Sequence, residues 1–148
     1  MSPAPSLRER ALRLLAQREH SRRELARKLA AHAETPGELE LLLDDLERRN
    51  QLSEQRFAEG RARVLSRKFG AARIEHDLRA RGIAPAAAAE AAAGARATEF
   101  DRARDVWQRK FGHPPADRNE RARQTRFLLS RGFGSDVINR LLRGTADE

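Results

Sequence analysis

The residues of this 148-residue chain that could do acid–base, metal or nucleophilic chemistry are scattered rather than grouped. His20, His32, His76 and His113 lie far apart, and none forms an H-x-x-x-H ligand pair or an H-E-x-x-H site, so each is read as a surface or loop residue. The chain has no cysteine, which excludes disulfide frameworks, thiolate zinc sites and cysteine nucleophiles. It carries no G-x-S-x-G elbow, Walker loop or dinucleotide fingerprint. The run Gly132-Phe133-Gly134-Ser135 is read as a helix C-cap followed by a helix start capped by Ser135, rather than as a phosphate loop. Carboxylates are plentiful, but they recur four residues before a base: Glu9 with Arg13, Glu19 with Arg23, Glu24 with Lys28, Asp44 with Arg48, Asp45 with Arg49, Glu75 with Arg79, Asp77 with Arg81 and Asp105 with Arg109. That order favours helix-surface ion pairs, each contributing roughly 0.2–0.5 kcal/mol. No catalytic, cofactor or metal site is expected, and the chain is read as not being an enzyme.

The bases left over are more informative. Arg56, Arg63 and Arg67 project from one side of a helix beginning near residue 54, with Gly60 at the intervening position and Phe57, Leu65 and Phe69 on the opposite face. Lys68, Arg73, Lys110, Arg126 and Arg131 also lack an acidic residue four positions upstream. These eight form the candidate partner-binding set. The formal net charge of +8 agrees with an acidic partner, either nucleic acid or an acidic protein surface. The excess is uneven: ten bases meet nine acids in residues 1–50, eight meet five in 51–95, and twelve meet eight in 96–148.

These residues must be held by helices. Ser6 with Glu9, Ser21 with Glu24 and Thr35 with Glu38 are S/T-x-x-E capping boxes placed before apolar residues at helical spacing, and Pro36 suits a first helical position. Phe57, Ala58, Ala62, Leu65 and Phe69 share a face of a helix ended by Gly70. Ile74 and Leu78 anchor the next helix, Gly82 caps its end, and Pro85 starts a third that is almost all alanine, the best helix former. Phe100, Ala103, Trp107 and Phe111 repeat the first of these patterns, Asp117 and Glu120 offer another cap, and Val137, Ile138, Leu141 and Leu142 mark a last helix.

The chain is one design written three times. Leu29, Leu78 and Leu128 fall in register at a period of about 49 to 50 residues. Val64-Leu65-x-x-Lys68-Phe69-Gly70 matches Val106-Trp107-x-x-Lys110-Phe111-Gly112, and Arg81-Gly82-Ile83 matches Arg131-Gly132-Phe133. Gln124 falls where Leu25 and Ile74 are apolar, so Phe127 is expected to fill that space. No segment alternates as a strand would. The expected fold is all-α: nine helices in three tandem three-helix repeats, at 6–52, 53–96 and 97–144, stacked into an elongated, curved body between flexible termini at 1–5 and 145–148. With 35% charged and 5% aromatic residues, several small cores suit the composition better than one large one. MSPAPS has no basic and apolar leader pattern, and no segment approaches the roughly 18 apolar residues of a membrane span, so a non-exported protein with no membrane partner is expected.

Four ordered motifs, LLAQREHSRRELARKL (14–29), SEQRFAEGRAR (53–63), KFGAARIEHDLRARGI (68–83) and RFLLSRGFGSDVI (126–138), resemble the RecX family, bacterial regulators of the RecA recombinase. The resemblance spans roughly residues 8 to 143. It implies tandem three-helix repeats, a cytoplasmic location and no catalytic activity, and a monomer is expected. It further implies binding in the groove of the RecA–DNA filament, with inhibition of strand exchange, ATP hydrolysis and co-protease activity. Such inhibition would modulate recombination, DNA repair and the SOS response. Where members of that family often carry larger apolar residues, this chain has Ala86 to Ala93. The alternative is a direct nucleic-acid binder, holding single- or double-stranded DNA, with Ser21 to Leu29 entering a groove in helix-turn-helix fashion. Glu24 and the near-neutral first repeat argue against that helix as a reader.

Overall fold

The structure is a computed structural model, and it describes residues 3–146. Helices α1 (Leu7–Gln17), α2 (Arg22–Leu29) and α3 (Pro36–Arg48) make the first repeat, with a short 3-10 turn at Ala30–His32 after α2. Helices α4 (Glu54–Leu65), α5 (Ala71–Ala80) and α6 (Pro85–Arg96) make the second, and α7 (Glu99–Lys110), α8 (Arg118–Ser130) and α9 (Ser135–Ala146) the third. No strand occurs among the described residues. Residues Met1, Ser2, Asp147 and Glu148, parts of the two expected terminal segments, lie outside them, while α9 carries on through Ala146.

Local chemistry sets the helix starts. Ser6, Ser21, Thr35 and Asp117 accept the backbone N–H of Glu9, Glu24, Glu38 and Glu120, and Ser53 accepts that of Arg56. Each such bond satisfies one of the four N–H groups that a helix start leaves without a partner. The ends are equally specific. Gly82 and Gly132 are left-handed, with φ of +89° and +86°, and let Ile83 and Phe133 return their N–H groups to Leu78 and Leu128 while their side chains plug the cores.

Each repeat encloses its own apolar core. Leu25, Leu29, Leu43 and Leu46 centre the first, Ile74, Leu78 and Ile83 the second, and Trp107, Leu128, Phe133 and Ile138 the third. Ala88, Ala92 and Ala95 bury the alanine helix against the second core, where small side chains let the helices approach closely. The accessible surface is 9543 Å², about a quarter above the roughly 7,600 Å² of a compact monomer of this mass. The stack is therefore extended, with surface in proportion.

Several details differ from the sequence expectation, each for a packing reason. Gln124 does not yield its place to Phe127: it is fully buried, accepts the Trp107 indole N–H at 2.8 Å and donates to the His113 carbonyl. A tryptophan in the position of Leu65 brings a donor into the core, and a buried donor needs an acceptor. His20 is not a surface residue but 1% exposed. Its Nδ1 lies 3.0 Å from the Arg18 carbonyl and its Nε2 3.1 Å from the Lys28 ammonium, so the ring is neutral with Nδ1 protonated; burial lowers its pKa. Gly70 does not end α4, which stops at Leu65; it precedes α5, and a side chain there would overlap the Gly132 carbonyl. Ser135 lies inside α9, and Gly134 holds the capping position.

Candidate partner-binding cleft

Half of the eight ion pairs that spacing assigns along single helices are replaced by pairs between elements. Asp45–Arg49 and Asp77–Arg81 form as expected. Glu19 instead takes Arg56, Glu24 takes Arg18, Asp44 joins Glu40 and Glu47 around Arg22, and Glu75 faces Arg96. Asp77 also binds Arg61 through two N–H groups, and these bonds outweigh burial to hold its carboxyl below the usual range. Arg109 has no carboxylate partner among the described residues, although Asp105 precedes it by four.

The expected basic stripe is dispersed by the same packing. Because α4 ends at Leu65, Arg67 lies in the following turn rather than on a helix face with Arg63. Arg56 turns into the junction of the first two repeats, bound to Glu19 at 2.8 Å and to the side chain and carbonyl of Asn50. Arg63 borders a separate hollow beside Ala91 and Gly94 of α6. Arg126 stays exposed. Arg73 reaches across to the Ser130 carbonyl at 2.6 Å and covers the Phe69 ring at 4.5 Å.

Four of the eight candidates meet at the junction of the second and third repeats. Arg67 and Lys68 from the turn after α4, Arg109 and Lys110 from the end of α7, and Arg131 at the end of α8 line one open cleft of about 240 Å³, floored by Val106 and Phe127. Lys68 and Lys110 occupy equivalent positions in two repeats, and the stacking brings them together. Arg131 lies over both Phe69 and Phe127, at 5.5 and 5.1 Å, and Lys110 lies 5.4 Å over Phe127, which packs edge-to-face on Phe111. Among the described residues, none of the five cations has a carboxylate partner and no carboxylate lines the cleft.

A buried polar lock holds this cleft in place. Glu99, 5% exposed, accepts the Ala71 N–H at 2.7 Å and the Gly134 N–H at 3.3 Å. It thus places one negative charge at the starts of both α5 and α9, where the helix dipoles favour it. Arg102 does the reverse job, donating to the Ser66 and Phe69 carbonyls after α4 and to the Ala95 carbonyl of α6. Burial lowers its pKa, opposed by the nearby Glu99 charge. The Gly70 N–H bonds the Arg131 carbonyl at 2.8 Å, and Gly132 leaves no room for a side chain against Arg73. Sequence spacing offered no sign of Glu99 or Arg102, because their main partners lie on other elements, and it hid Arg109 by setting Asp105 four residues before it.

Fold and cleft define a tandem three-helix-repeat protein with a cationic cleft between its second and third repeats. Comparison with known proteins gives the family. Profiles of the RecX first, second and third three-helix domains match residues 8–44, 53–91 and 97–142. The chain is 51% identical to the "Regulatory protein RecX" of Leptothrix cholodnii, covering 95% of this chain and 90% of the relative. It is 48% identical to that of Ralstonia nicotianae, covering 94% and 87%. The crystal structure of RecX from Lactobacillus salivarius superposes with a TM-score of 0.79 over 96% of both chains at 19% identity, which supports the fold. The chain belongs to the RecX family.

Proposed function

We propose that this chain is a non-enzymatic negative regulator of RecA that lodges in the groove of the RecA–DNA filament and restrains recombinase, ATPase and co-protease activity. It would act in the cytoplasm, as a monomer, in recombination, DNA repair and the SOS response. The single observation that carries the reading is the cleft between the second and third repeats. Five cations with no carboxylate among them repel one another, and an acidic partner relieves that repulsion. The extended stack suits a filamentous partner because it offers more surface than a compact body of this mass. Two of the carboxylates, Glu99 and Glu24, have structural duties, which supports a binding rather than a catalytic role: Glu99 caps two helices, and Arg18 holds Glu24 at a pKa of about 2.

The helix-turn-helix alternative is weakened by the placement of α2. Its Arg22 is bound by three carboxylates, its Arg23 reaches the Ala80 carbonyl, and its Lys28 is turned to His20. Little of that helix is left to read a groove.

The test is RecA ATP hydrolysis on single-stranded DNA. Wild-type protein should inhibit, and the triple substitution Lys68→Ala, Arg109→Ala, Lys110→Ala should raise the concentration needed for half-inhibition by about tenfold or more. The triple substitution Arg56→Ala, Arg63→Ala, Arg67→Ala should have a smaller effect, since these side chains face three different places. Absence of inhibition by wild type overturns the function; equal inhibition by the cleft variant overturns only the site.

A further inference from the structure

We infer that the cleft between the second and third repeats receives an acidic polypeptide segment carrying an apolar side chain, and not the bases or backbone of a nucleic acid. This rests on the proposed function, and it names the part of the partner that the cleft grips.

Three features of the cleft select the ligand. The first is charge: Arg67, Lys68, Arg109, Lys110 and Arg131 face it without a carboxylate, so the ligand is anionic. The second is the floor. Val106 of α7 and the part of Phe127 of α8 that its two cations leave uncovered are apolar, so a ligand made only of phosphate and sugar leaves that floor without a contact, whereas a leucine or isoleucine side chain of an acidic segment covers it while the cations stay in place. The third is the state of the aromatic rings. Proteins that hold single strands offer bare aromatic faces for bases to stack on. Here Phe127 already carries Lys110 and Arg131, and Phe69 carries Arg73 and Arg131. A base would have to displace a guanidinium or ammonium from each ring, giving up the cation–π contact in order to stack. A carboxylate asks for no displacement. It binds the outer N–H groups of Arg131 or the ammonium of Lys110 while both stay over their rings, and the guanidinium fork matches a carboxylate in two parallel bonds.

The experiment is fluorescence anisotropy with two labelled probes of equal net charge: a twelve-residue Glu/Asp peptide with one central leucine, and an oligothymidylate of matched phosphate number. At physiological salt the peptide should bind at least about tenfold more tightly than the oligonucleotide, and replacing its leucine by serine should weaken it about fivefold, the loss of one buried apolar side chain at a partly open site. The double reversal Lys68→Glu, Arg109→Glu should weaken the peptide about a hundredfold. The helical circular dichroism and thermal midpoint of this variant should match those of the wild type, which separates a lost site from a lost fold. Tighter binding of the oligonucleotide, indifference to the leucine, or no peptide binding overturns the inference. None of these results touches inhibition of RecA ATP hydrolysis, which decides the function separately.

Discussion

The molecule has two internal junctions built from the same repeat, and they are made of different materials. Between the first and second repeats, Arg56 holds Glu19 and Asn50 and Arg23 holds the Ala80 carbonyl. The Arg56 and Glu19 side chains are 38% and 41% exposed, so water and salt compete for every bond. Between the second and third, Glu99 is buried and Arg102 half-buried, their partners are backbone groups at helix ends, and two glycines bring the backbones into direct contact. A withdrawn polar group with all its partners resists separation, because pulling it away strands donors and acceptors out of reach of water. The contacts between the second and third repeats, where the cleft lies, are thus the harder ones to separate. The first is attached by contacts that cost little to break.

Glu99→Ala should be the most damaging single change to this asymmetry. It leaves the Ala71 and Gly134 N–H groups without an acceptor, at about 1–3 kcal/mol each, so a total loss of about 2–6 kcal/mol is expected in urea unfolding. Hydrogen exchange should show those two amides losing protection first. A loss below about 1 kcal/mol would mean that the two junctions are alike after all.

Arg56→Ala tests the other side of the comparison. A half-exposed pair contributes about 0.2–1 kcal/mol, so the expected loss stays within about 1 kcal/mol and shrinks further in high salt. If it matched the Glu99 variant, the weak-junction reading would fail.

The smallest effect should come from pH and be confined to the first repeat. His20 has a folded-state pKa below its ordinary value, so the native state binds fewer protons than the unfolded one. Its contribution is present above the unfolded pKa of about 6.5 and is lost as pH falls through the lowered folded value. Thermal unfolding between pH 7.5 and 5 should show the first repeat softening by a few degrees, and His20→Gln should flatten the dependence. Glu24, titrating near 2, lies outside that window.

Much of the fold was legible because its signals are local. A serine three residues before a glutamate, a glycine past the last apolar residue, and apolar residues at helical spacing act within a turn or two of the chain, and Ser6, Ser21, Thr35 and Gly82 do in the structure what their neighbours require. Lys68, Lys110 and Arg131 were legible as unneutralised cations for the same reason. Arg109 was not, because the helical spacing that pairs it with Asp105 is a weak preference that side chains on the surface need not obey. Arg56 misled in the opposite direction: its neutralising carboxylate, Glu19, sits 37 residues away.

The sequence by itself determined three things: the helices, their threefold repetition and the excess of positive charge, all of which follow from composition and short-range spacing. Only the tertiary structure decided which charges are spent and which remain. Ion-pair partners are chosen by distance in space, and stacking the repeats places Glu19 beside Arg56 and Glu99 at two helix starts, and leaves Arg67, Lys68, Arg109, Lys110 and Arg131 facing one another without a carboxylate.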